Sequence, residues 1–287
     1  MRRDSKFYVA LFCILVGLSL LIYPSLANYI NNQHSSKVIA SYSDSVSDLS
    51  KDDFSFEWHE AQKHTEMLAL QGFLAAGVDM EERDDLESYN RLLNVGDDGV
   101  MGVVRIPKIG VDLPVYHTAE ESVLQRAVGH FVGSSLPIGG KSSHCILTGH
   151  RGLPSAELFT ELDQLKKGDL FFIDVLNQTL AYKVDKMDTI DPESQEDAEL
   201  LNVVPDKDLV TLLTCTPYGV NTHRLLVRGH RVKYVKKDEK KEVQKGEDIA
   251  RLLLVRRFLI LLIAIVVAIV AAVRIGLFLA DNKKSRH

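Results

Sequence analysis

A mainly β domain, either a sandwich or a barrel, preceded by helices and flanked by two transmembrane helices, is the architecture predicted by the 287-residue sequence. Three observations carry that prediction. Short β-type runs follow one another between residues 99 and 235, the stretch before them is rich in helix formers, and a long charge-free run lies near each end.

The first charge-free run is Phe7 to Ile22, FYVALFCILVGLSLLI, behind the charged start Met1 to Lys6. A cleaved signal peptide has the same plan. The small-residue cleavage pattern is poor, however, and the run extends towards Ile30 with only weakly polar interruptions, so an uncleaved anchor over residues 1–30 is the preferred reading. Residues 31–56 are rich in Ser and Asp and weakly periodic, which reads as a linker or a poorly packed helix. From Glu57 to Leu93 Glu, Gln, Ala, Leu and Met dominate, predicting one or two amphipathic helices interrupted near Gly77. Linker and helices together make a second region, residues 31–98.

Residues 99–235 carry the strands. GVVRIP, VDLPVYH, HCILTGH, DLFFIDV, LAYKVDKM, LVTLLTC and HRLLVRGHRV are rich in Val, Leu, Ile, Thr or Phe and bounded by Gly, Pro, Asp or Asn. Helical interruptions are expected at Glu120 to Val128 and Ala156 to Leu165. The charge run KKDEKKEVQKG opens a solvated stalk over residues 236–257. Residues 258–287 then form the second span and a basic tail, beginning with Phe258 to Val273, FLILLIAIVVAIVAAV. About 20 apolar residues cross a bilayer, a length reached if Arg274 snorkels to the headgroups. A buried core helix is the alternative, but it seldom lacks a polar face over such a length.

Two spans put both termini on one side. Arg2, Arg3 and Lys6 at one end and Lys283, Lys284 and Arg286 at the other suit the cytoplasm, leaving the domain between them outside the cell membrane; Arg251, Arg256 and Arg257 at the opposite mouth count against this orientation.

Composition excludes several classes. One residue in four is charged, too many for a wholly membrane-embedded chain, and three Cys cannot make a disulfide framework. A formal charge of −5 argues against a nucleic-acid binder. Setting aside 7 of the 34 basic and 2 of the 39 acidic residues, those of the tails and Arg274, leaves 27 against 37, or −10 for the middle. Such a domain would attract a lysine-bearing protein surface, unless the charge serves solubility alone.

Chemistry points to one cysteine. Cys13 lies in the first apolar run and Cys145 alternates within a strand, so both read as small hydrophobes. Cys215 ends the strand LVTLLTC and is followed by the turn Thr216-Pro217-Tyr218-Gly219, which sets a thiol beside a loop. A nucleophilic thiol needs a base or cation nearby, and His150 or the His223-Arg224 pair could supply one. The rivals are a Cys145–Cys215 disulfide, which would silence the nucleophile, unrelated loop residues, and a zinc site for which no ligand spacing is recognisable. The acidic run Asp79 to Glu87 lacks the alternation and central Gly of a calcium loop.

TLLTCTPYGVNTHRLLVRG (Thr211 to Gly229), LTGHRGLPSAELFTELDQLKKGD (Leu147 to Asp169) and GVMGVVRIPKIGVDLPVYH (Gly99 to His117) together resemble the sortases, and among them the class C, pilin-polymerising sortases of Gram-positive bacteria. The resemblance covers Tyr89 to Val232, and two terminal spans also suit that class. It implies an eight-stranded β-barrel, no cofactor or metal, and a cysteine transpeptidase. The residues it assigns are Cys215 as nucleophile, His150 as general acid and base, and Arg224 as the holder of substrate and oxyanion. Thr214, Thr216, Pro217, Tyr218, Asn221 and His223 would line the groove for a Leu-Pro-x-Thr-Gly-like sorting signal. The implied partners are pilin subunits carrying that signal and an acceptor Lys, together with membrane lipid.

One departure stands out. Class C members commonly carry a lid with an Asp-Pro-aromatic motif, whereas Gly77 to Tyr89 reads GVDMEERDDLESY. Asp79 and Met80, or Asp84 and Asp85, would be a degenerate lid against Arg224, or the lid is absent. A housekeeping sortase that anchors surface proteins to the cell wall and a catalytically silent surface scaffold are the alternative functions.

Overall fold

The computed structural model describes residues 2–71 and 86–252, with single positions up to 270. Helix α1 spans Arg2–Ser47, α2 Lys51–Gln71 and α3 Leu86–Arg91. Eight strands follow: β1 Val100–Ile106, β2 Val111–Tyr116, β3 Val128–His130, β4 Ser143–Thr148, β5 Leu170–Val175, β6 Gln178–Ile190, β7 Asp208–Thr216 and β8 His223–Val232. They close a mixed barrel in the order β1-β2-β3-β4-β7-β8-β6-β5. Single helical turns α4 (Glu121–Leu124) and α5 (Gln195–Ala198) interrupt them, and residues 236–252 form a last helix, α6.

Closure removes free sheet edges. The interior is filled by inward-facing side chains: Met101, Ile106, Leu147, Phe171, Tyr182 and Leu212 are all buried, and the Phe171 and Tyr182 rings stack at 5.6 Å. Each such side chain contributes about 1.5–3 kcal/mol through its burial.

Three expectations change. Residues 31–56 are helical in α1 and α2 apart from a short break after Ser47. Their Ser and Asp content conceals Val38, Ile39, Tyr42 and Val46, a helical face packed on Val100, Val103 and Tyr116. The stalk is instead docked. Glu239 of α6 pairs with Arg105, Lys245 stands 3.6 Å from Asp169, and Gly246 is so close to Pro107 that a Cβ there would lie 1.9 Å from its carbonyl oxygen. The helix expected at Ala156 to Leu165 is a loop with one 3-10 turn, Leu162–Gln164. In addition, the three-residue β3 is too short to leave a periodic signal.

Among the described residues no helix is long and apolar enough to cross a membrane, so the fold lends no support to the two expected spans. The second, Phe258–Val273, falls largely outside those residues.

Candidate active site

Strand register assembles the site. β4 and β7 run parallel with Thr148 beside Leu213, and β7 and β8 run antiparallel with Cys215 opposite Arg224. The Gly149 N–H continues the ladder to the Leu213 carbonyl at 3.1 Å, so one more step carries His150 alongside Cys215. The three residues therefore fall in one row across neighbouring chains, with Cys215 in the middle. Each lateral step is about 5 Å, and equal register puts the side chains on one face.

Further bonds hold that row. The Thr214 hydroxyl, buried beneath it, donates to the Gly149 carbonyl at 2.7 Å, so Thr214 ties two strands together from below and lines no groove. Arg151, whose side chain is 9% exposed, donates to Thr216 Oγ1 at 3.2 Å and pairs with Asp163. It thus fixes the residue after the thiol to the loop that bears His150. Glu121 of α4 accepts a bond from His150 Nε2 at 3.2 Å and another from Gln125 at 3.2 Å. The Gln125 bond first, then the bond and charge of His150, hold the Glu121 carboxyl below its usual range. Among the described residues Nδ1 of His150 has no partner, so Glu121 fixes one tautomer and leaves the other nitrogen open.

Arg224 bonds through Nη1 to the carbonyls of Asn221 and His223, at 3.2 and 3.1 Å. Its Nε and Nη2 edges have no bond among the described residues, and two N–H groups of a planar fork suit an anionic oxygen.

The loop joining β7 and β8 is exposed at Pro217, Tyr218, Asn221 and His223. The Tyr218 ring lies over Gly152, where φ is +79° and a Cβ would meet the ring at 3.1 Å; glycine serves both needs. His223 is engaged by the Thr222 hydroxyl at 2.9 Å.

Cys145 and Cys215 are both free thiols, which removes the disulfide rival. Burial first, and then the charge of Asp208, push the Cys145 thiol well above its ordinary range, consistent with a packing role. No three metal-ligating side chains cluster among the described residues. Asp79, Met80, Asp84 and Asp85 lie outside those residues. Arg151, Asp163 and Glu121 are what sequence reasoning passed over. Arg151 directly follows His150 and could have been suspected, whereas nothing in the sequence links residue 121 to residue 150.

The Sortase domain family matches residues 104–232, the stretch that holds all three residues of the row. A solved structure of sortase C1 from Streptococcus agalactiae is 45% identical, covers 69% of this chain and 100% of its own, and superposes with a TM-score of 0.64. The chain belongs to the sortase family.

Sortases are cysteine transpeptidases, and several of the solved neighbours are class C members. Sortase C of Streptococcus pneumoniae is 37% identical over 69% of this chain and 97% of its own, with a TM-score of 0.59. Sortase C-1 of Actinomyces oris is 41% identical over 63% and 99%, with a TM-score of 0.56. More distant relatives include sortase D of Bacillus subtilis, 27% identical over 46% of this chain, and sortase A of Bacillus anthracis, 30% identical over 45%. The chain spans 63% and 59% of the lengths of those two relatives.

Proposed function

We propose that this sortase is a membrane-anchored cysteine transpeptidase that joins pilin subunits. The observation that carries the reading is the row of His150, Cys215 and Arg224 across β4, β7 and β8. In the proposed reaction the Cys215 thiolate attacks the carbonyl carbon of the Thr–Gly bond in a Leu-Pro-x-Thr-Gly-like signal. The oxygen gains charge and is met by the free edge of Arg224, a contact of the kind worth about 3 kcal/mol. The C–N bond breaks, His150 gives a proton to the departing Gly amine, and a thioester remains on Cys215. A Lys amine of the next subunit attacks the thioester and loses its proton to His150; an isopeptide bond forms as the thiolate leaves. Splitting the exchange into two acyl transfers keeps the acyl group activated until the amine arrives.

Anchoring is part of the proposal, with the barrel outside the cell membrane and both termini in the cytoplasm. Its support is the placement of exposed apolar side chains. Leu20, Leu21, Ile22 and Leu26 of α1, and Leu252, Leu254, Val255 and Leu259 near the other end, are all at least half exposed, a density that suits lipid better than water. The apolar runs that contain or adjoin them, Phe7 to Ile22 and Phe258 to Val273, approach the length of a bilayer when extended towards Ile30 and past Arg274.

Pilin ladders in extracts of cells that hold no other sortase provide the test. Cys215→Ala should eliminate the high-molecular-weight ladder, and its persistence would refute the proposal. Products joined to a cell-wall amine in place of a pilin Lys would favour the housekeeping alternative.

A further inference from the structure

The two helices that lead to the apolar ends leave the barrel at the same end, and it is the end that carries Cys215. Because β7 runs towards Cys215, the catalytic end is where β4, β6 and β7 finish and where β3 and β8 begin. The hairpin between β5 and β6 is at the far end.

Helix α1 runs between these ends. Its Tyr42 hydroxyl accepts from the Leu176 N–H at 2.8 Å, at the far hairpin. Towards the N-terminus, Asn31 donates to the Arg126 carbonyl at 3.3 Å, just ahead of β3, and Asn28 accepts from the Glu157 N–H at 2.9 Å, in the loop that follows His150. The apolar run ends at Ile22, six residues or about 9 Å of helix beyond Asn28, and α1 stays helical through Pro24, the one proline between them.

Helix α6 makes the same journey in the other direction. It starts where β8 finishes, at the far end, and passes Arg105 through Glu239. It then meets Asp169 through Lys245 and Pro107 through Gly246. Those residues sit at the finish of β1 and the start of β5, both of which point to the catalytic end because β1 is antiparallel to β2, and β2 is parallel to β3. Exposed Leu252, Leu254 and Val255 follow within ten residues of Gly246.

We infer that the catalytic end of the barrel faces the bilayer, with the β7–β8 loop at the lipid surface. The inference rests on the anchoring proposed above and adds an orientation to it. Two helices that climb the barrel and enter lipid at the same end draw that end down, like two straps. Tyr218 and Val220, 61% and 64% exposed at the tip of the loop, are the apolar pair that would meet the headgroup region.

Fluorescence quenching in vesicles tests the orientation. The full chain, with Cys13→Ser and Cys215→Ala to clear reactive thiols, is reconstituted into phosphatidylcholine and phosphatidylglycerol vesicles, and a thiol-reactive fluorophore is attached at Val220→Cys, at Tyr218→Cys or at Asn177→Cys. Asn177 is exposed on the far hairpin. Headgroup spin-labelled lipid should extinguish emission from 218 and 220 and leave 177 unchanged. Equal quenching at the two ends, quenching at 177 alone, or quenching at neither overturns the orientation. Retention of the chain on vesicles after an alkaline wash is scored separately: release there defeats the anchoring itself, whereas retention with the wrong quenching pattern defeats only the orientation.

Discussion

At the open end of the barrel His150 engages one neighbour through one ring nitrogen, whereas in the seam beneath α3 two histidines are held through both. His117 contacts the carbonyls of Gly99 and Leu92 at 2.9 and 2.8 Å, and His130 lies between the Tyr89 hydroxyl at 2.7 Å and the Ser135 carbonyl at 3.0 Å. The Tyr89 ring packs against both imidazoles, which locks α3 onto the barrel. Burial drives both histidines towards the neutral form: the pKa of His117 is lowered although two carbonyls face its ring, of which the neutral form donates to one only, and that of His130 is lowered to about 4. One side-chain type thus serves two ends, and what separates them is whether a nitrogen is left over. A dry imidazole walled in at both nitrogens is structural, while one with a free nitrogen beside a thiol can carry protons.

The sharpest way to break this contrast is Cys215→Ala, which should abolish transpeptidation and leave the seam, and therefore the melting temperature, nearly unchanged. Should the purified variant still form product, chemistry does not reside at the open end. Arg224→Lys comes next: it keeps the charge but loses the fork, and should lower kcat by about 10²-fold if two N–H groups serve the oxyanion. A kcat equal to that of the wild type would remove Arg224 from that role.

The seam makes the opposite kind of prediction. The folded-state pKa of His130 lies below its unfolded value, so the unfolded chain binds the extra proton, and stability should be complete above about pH 6.5 and fall as the pH drops towards 4. The loss over that window is about 3 kcal/mol. Unfolding midpoints measured in urea from pH 7 to 4 should show it. His130→Phe should make the curve shallower, with a residual slope from His117 and His144, which burial also lowers, and an equally steep one would place the titration elsewhere.

Two smaller effects probe how the open end is held. Arg151→Lys cannot span Asp163 and Thr216 at once, and should cost about 1–3 kcal/mol while slowing Cys215 alkylation by a thiol reagent. An unaltered alkylation rate would mean that the tie does not position the thiol. Glu121→Gln should reduce kcat only about two- to fivefold, because the pair is exposed. Its clearer signature is the loss of a single His150 tautomer in 15N spectra, and spectra identical to those of the wild type would exclude a positioning role for Glu121.

Much of this protein is legible in its residues. Period-two runs bounded by turn formers announce seven of the eight strands, and a thiol at a strand end marks Cys215 as a candidate that the resemblance to sortases then singles out. Other parts were hidden for physical reasons. Thr214 reads as a groove residue by its nearness to Cys215, yet alternation along β7 turns it under the row. The charge-rich segment after Val235 reads as a solvated stalk because nothing local shows that Arg105 and Asp169 offer partners to Glu239 and Lys245.

Taken alone, the sequence determined the β architecture, a candidate cysteine at a strand end and the apolar ends, since each depends on neighbours a few residues apart. Only the tertiary structure decided that His150 stands beside Cys215 with Glu121 behind it, that the seam histidines are dry, and that both end helices climb to the catalytic end. Those outcomes depend on barrel closure and register between strands far apart in the chain, which local preference does not encode.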